Sequence, residues 1–197
     1  VRAIPSTAET EKEKRVTSAR LSRGRRRGNV PAFLLASHSR FNLLLSGAMI
    51  YFEDLEIGRE TRFGSYEVTR EEVLDFARKY DPQPFHLSDE AAAKTHFGRL
   101  AASGWHTCAM AMAVIARAVV AEEQAGLGSP GIDELRWLKP VYPGDTLTVV
   151  GRIIDKTPSR SRPDIGSFRT ETIVTNQHEE PVMRMTSIVL IRRRPAP

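Results

Sequence analysis

Apolar and polar residues alternate through the last third of the chain. Leu147, Val149, Gly151 and Ile153 interleave with Thr146, Thr148, Val150 and Arg152; Phe168, Thr170, Thr172 and Val174 repeat the period, and Met183, Met185, Ser187, Val189 and Ile191 continue it. A period of two is the mark of a strand with two differently filled faces. The polar segments Thr157–Gly166 and Asn176–Pro181 supply turns, so this region is expected to be a meander of long antiparallel strands.

The middle of the chain has a different texture. From Cys108 to Ala121 the only charge is Arg117, and Ser103-Gly104-Trp105-His106-Thr107 leads into this run. The pattern predicts a helix apolar nearly all round, hence buried on most sides. A membrane span is the rival reading, but the run falls short of about twenty residues and carries Arg117. Upstream, Thr61 to Val68 reads as a first strand. Thr69-Arg70-Glu71-Glu72 is a capping-box pattern opening a helix through Lys79, with Val73, Leu74, Phe76 and Ala77 on one face. A short helical stretch is expected from Ser88 or Asp89 to Lys94, ended by Phe97-Gly98. Gly126, Gly128, Pro130 and Gly131 read as a break before the strands. One apolar helix against one curved antiparallel sheet is an α+β layer arrangement.

At 197 residues the chain suits one well-packed core. Its charge is uneven: residues 1–48 hold ten Lys or Arg against three Glu, whereas residues 49–197 hold nineteen against twenty-one acids. The excess of base therefore belongs to the flank, and no nucleic-acid footprint is expected on the folded body. Residues 1–48 are expected to be a disordered extension, 49–194 the domain and 195–197 a tail; Arg192-Arg193-Arg194 reads as solvated with it. Glu9, Glu11 and Glu13 weaken the reading of a transit peptide, and Met49, directly before domain-like sequence, is the expected natural start. Cys108 is the single cysteine, so an intrachain disulfide is excluded, a reducing cytoplasm is the simplest compartment, and a buried inert thiol is expected.

The candidate chemistry lies in Tyr80-Asp81-Pro82-Gln83-Pro84-Phe85-His86. Two prolines stiffen this loop and bias Asp81 and Gln83 toward extended geometry, so a carboxylate and an imidazole can be aimed at one point. Such a pair can orient a water molecule and pass protons near neutral pH. On spacing alone the loop fits catalysis and also plain turn formation. His96 and His178 fall in expected surface turns; His106 is read either as a polar group of a pocket or as a buried histidine with satisfied partners.

The loop, the Ala102-Ser103-Gly104-Trp105-His106 approach to the helix and the Lys139-Pro140-Val141-Tyr142-Pro143-Gly144-Asp145 turn together resemble the hot-dog fold of MaoC-like dehydratases, relatives of (R)-specific enoyl-CoA hydratases. The resemblance runs from Tyr51 to Arg193. It implies a hydro-lyase that adds or removes water at an α,β-unsaturated acyl thioester, carried by coenzyme A or a carrier protein, with Asp81 and His86 as the catalytic pair. Gly104, at the helix start, is implied to let the thioester carbonyl approach backbone N–H groups. Gln83 stands where Asn is usual and Ser103 where His is frequent; with His106 they are candidate substrate-binding residues. A homodimer is implied, and Arg136 and Lys139 are candidates for the phosphates of coenzyme A. No metal and no cofactor beyond the substrate's own coenzyme A are implied. A noncatalytic acyl-thioester-binding or partner subunit and a hot-dog thioesterase remain the alternatives.

Overall fold

The computed structural model describes residues 49–196. The expectations for residues 1–48 and for residue 197 lie outside the described residues.

Five strands form one antiparallel sheet: β1 (Glu60–Glu67), β2 (Gly126–Trp137), β3 (Thr146–Pro158), β4 (Ile165–Thr175) and β5 (Pro181–Arg192), in the order β1-β3-β4-β5-β2. The three strands read from alternation are consecutive neighbours, as a meander requires. Thr172 stands opposite both Gly151 and Met185. Leu147, Val149, Phe168, Thr172, Val174, Met183, Met185 and Ile191 are all buried. Their common face carries the core.

Helix α1 (Arg70–Tyr80) starts where the capping pattern predicts. The Thr69 hydroxyl accepts from the Glu72 N–H at 3.2 Å and donates to the Glu72 carboxylate at 3.0 Å; Tyr66 donates to the same carboxylate at 2.8 Å. Val73 and Ala77 turn inward. A short α2 (Asp89–Ala92) is capped by Ser88, and the long α3 (Gly104–Ala121) by Ser103.

Three expectations need correction. Gly126 to Gly131 do not break the chain but begin β2, which is distorted between Gly126 and Gly128, between Gly128 and Gly131 and between Ile132 and Glu134. An edge strand tolerates Pro130 and glycine-rich bulges because only one side of it must pair. Arg193 and Arg194 are not a solvated tail: their guanidinium groups pair with Glu53 and Asp54 in the 3-10 turn Phe52–Asp54. Finally, α3 is buried along only one face, through His106, Thr107, Met110, Ala111 and Val114. Trp105, Met112 and Val120 are exposed, at 60%, 52% and 77%. A single sheet offers one surface and covers one side of a helix. In length and hydropathy α3 would suit a bilayer, yet its inner face is part of the sheet's core.

Candidate active site

Asp81 is the residue on which α1 ends; its N–H still bonds to the Ala77 carbonyl at 3.0 Å, while Pro82 cannot continue the helix. Pro84 then opens the 3-10 turn Pro84–His86, and the His86 N–H bonds to the Gln83 carbonyl at 2.9 Å. This tight return brings the imidazole back over the helix end. His86 Nε2 lies 3.5 Å from Asp81 Oδ2. The loop therefore brings both residues of the expected pair together.

The imidazole is buried and flanked by Phe85 and Phe97, with ring centroids 4.7 and 5.6 Å away. Its Nδ1 is 2.8 Å from the Ala101 carbonyl oxygen. A carbonyl can only accept, so Nδ1 carries the hydrogen, and in the neutral ring Nε2 presents a lone pair toward Asp81. Ala101 is itself held in place because the Ala102 N–H bonds to the Val141 carbonyl at 2.8 Å, which ties the approach segment to the Lys139–Asp145 turn.

Both oxygens of Asp81 are occupied by donors. Gln83 Nε2 reaches Oδ1 at 2.8 Å, and Ser103 Oγ reaches Oδ2 at 2.6 Å. Burial pushes the Asp81 carboxyl upward, but the Ser103 and Gln83 hydrogen bonds and the nearby His86 outweigh it and hold the group below the usual aspartate range. Asp81 is thus a carboxylate at neutral pH. Of the residues expected to meet substrate, Gln83 and Ser103 hold the pair, and both are contacts of Asp81.

Gly104 begins α3, an 18-residue helix whose cap residue Ser103 touches Asp81, so the free backbone N–H groups of its first turn start beside that carboxylate. A side chain at 104 would collide with the indole of Trp137, whose nearest atom is 2.5 Å from the place of a Cβ. Trp137 Nε1 also donates to the Gly104 carbonyl at 2.9 Å, and its ring meets Trp105 edge to face at 5.4 Å. Sequence reasoning missed Trp137. It sits 33 residues away at the end of a strand hidden among glycines, and only the Lys139–Asp145 turn marks that neighbourhood.

His106 is 6% exposed and stacks on Phe76 with centroids 4.6 Å apart. Its Nδ1 has no hydrogen-bond partner among the described residues. Burial lowers its pKa, against a weaker upward pull from Glu72. The ring thus packs between α1 and α3. Arg136 and Lys139 lie on the surface in ion pairs, with Glu134 at 3.2 Å and Glu180 at 2.5 Å. His96 and His178 are exposed. Burial raises the Cys108 thiol, which leaves it a poor nucleophile. Among the described residues no group of three His, Cys, Asp or Glu converges to hold a metal ion.

A second feature lies farther along α3. Met112 and Ile115 line an apolar cavity of about 190 Å³ together with Phe63, Thr172, Met185 and Val189. Met112 is eight residues past Gly104, a rise of roughly 12 Å along the helix from the Asp81 end.

Comparison with known proteins accords with this fold. A MaoC-like dehydratase from Rhodospirillum rubrum superimposes with a TM-score of 0.67 and 40% identity, covering 75% of this chain and 99% of that one. A 3-hydroxybutyryl-CoA dehydratase of Methylorubrum extorquens is 34% identical over 116 residues, 58% of this chain and 70% of the relative. An uncharacterized Bacillus subtilis protein, YdeM, is 28% identical over 141 residues, 72% of this chain and 98% of the relative. The family model for the MaoC like domain matches residues 53–177, and the chain belongs to that family.

Proposed function

We propose that the protein is a hydro-lyase that adds water to, or removes it from, an α,β-unsaturated acyl thioester. The observation that carries this reading is the opposition of two lone-pair-bearing atoms, Asp81 Oδ2 and His86 Nε2, 3.5 Å apart beside the start of α3. A water molecule bound between them donates one hydrogen to each. As its oxygen attacks the β-carbon, the pair takes up one proton, and the thioester oxygen gains negative charge opposite the N–H groups of the first α3 turn. The held proton then passes to the α-carbon on the same face, giving net syn addition; dehydration runs the same steps in reverse.

The cavity lined by Met112 and Ile115 is our assignment for the acyl chain, because it is apolar and lies along α3 from the reacting end. Arg136 and Lys139 remain candidates for the phosphates of coenzyme A, which would compete with Glu134 and Glu180. A homodimer is part of this reading. Trp105, Met112 and Val120 leave an apolar stripe on α3, and among the described residues β2 has one unpaired edge. A cytoplasmic location fits the lone Cys108.

Incubation with crotonyl-CoA tests the activity. Loss of the enoyl absorbance without release of free thiol is the expected result. Free thiol would mean a thioesterase, and no reaction across short, branched and long enoyl thioesters would favour a binding subunit. Light scattering should give twice the chain mass; a monomer would remove the dimer from the reading.

A further inference from the structure

We propose that Ser103 is a positioning residue for this reaction: it caps α3 and donates to Asp81 with the same hydroxyl, fixing the carboxylate against the start of that helix. The inference rests on the hydro-lyase reading for its catalytic meaning, but its geometry stands independently. Ser103 is 1% exposed. Its Oγ accepts from the Trp105 N–H at 3.2 Å and donates to Asp81 Oδ2 at 2.6 Å. A hydroxyl has one hydrogen. The backbone N–H of the helix start can only donate, so it takes a lone pair and leaves that hydrogen for the carboxylate.

The consequence is directional. The accepting oxygen, Oδ2, is the one that faces His86 Nε2, while Gln83 holds Oδ1 from the loop. Two donors from two separate segments therefore fix both the rotation of the carboxylate and its charged form. His86 is the titratable group that acts on Asp81. On the neighbouring elements His106 stacks on Phe76, Lys79 lies over the Tyr80 ring, and Glu72 is taken by Tyr66 and Thr69.

Capping and donation can be separated by substitution. Ser103→Thr keeps both; Ser103→Ala loses both; Ser103→Asp keeps a good cap but, as a carboxylate, cannot donate and sets a second negative charge against Asp81. Carbon-13 NMR titration of the Asp81 carboxyl should show its midpoint higher in Ser103→Ala, higher still in Ser103→Asp, and near the original in Ser103→Thr. The acid limb of kcat/KM on crotonyl-CoA should move in the same order, with a loss of about tenfold or more at its acid end for the Ala variant, the scale of a hydrogen bond to a charged group. If Ser103→Asp titrates and turns over like Ser103→Thr, Ser103 is a cap alone and the proposal falls. The titration requires no turnover, so a wild-type protein inactive on every enoyl thioester would overturn the hydro-lyase reading while the NMR result still decides the contact with Asp81.

Discussion

The indole of Trp137 occupies the space that a side chain on Gly104 would need, and its N–H bonds to the Gly104 carbonyl at 2.9 Å. Glycine at this position thus serves the approach of a ring from the end of β2. Gly104→Ala should push Trp137 outward. We expect a loss of about 1–3 kcal/mol, the usual range for overpacking, seen as a lower melting temperature with a red-shifted tryptophan emission. An unchanged emission would show that the ring does not move.

The pair at the loop makes a direct kinetic prediction. Asp81→Asn and His86→Ala should each lower turnover on the true substrate by about two to four orders of magnitude. Asp81→Asn should keep the fold, since it changes shape little, and circular dichroism will check this. Near-full activity in either variant would remove that residue from the chemistry.

Acid sensitivity should come partly from His106. Its folded pKa is depressed below 6.5 by burial, so the unfolded chain binds more protons as pH falls through 6.5 toward the folded value. The stability associated with neutral His106 is therefore present above pH 6.5 and lost on the acid side. Asp81, lowered from 3.8, adds a second loss only at still lower pH. His106→Phe keeps a ring on Phe76 and removes the unpartnered Nδ1. Urea unfolding as a function of pH should show a flatter slope below 6.5 and a gain of roughly 1 kcal/mol from relief of a buried unsatisfied group. A raised KM with no change in slope would instead assign His106 to substrate.

The cavity can be filled from the sheet. Ser187, on its wall, is buried on β5. Ser187→Leu should shift preference toward shorter acyl chains, by about tenfold in the ratio of kcat/KM values if it displaces one or two methylenes. A panel of straight-chain enoyl-CoA esters reads this out. An unchanged profile would place the acyl chain elsewhere.

Much of this protein follows from local pattern. The alternation from Leu147 to Ile191 sets which faces of β3, β4 and β5 are inside, because a period of two leaves little freedom in register. Thr69 and Glu72 mark the start of α1, and two prolines confine Asp81 and His86 to one short loop. These are short-range constraints, legible wherever the backbone has few options.

What only the tertiary structure decided concerns partners distant in sequence. The Ala101 carbonyl selects the His86 tautomer, Ser103 takes hold of Asp81 across 22 residues, and Trp137 closes on Gly104 across 33. Strand β2 forms through glycines and a proline because β5 supplies its hydrogen bonds from one side. Among the described residues the outer face of α3 stays uncovered for a related reason. Apolar composition states that a surface should be buried, but a single sheet can set only one of its faces against the helix, and its geometry determines which side of the helix it meets.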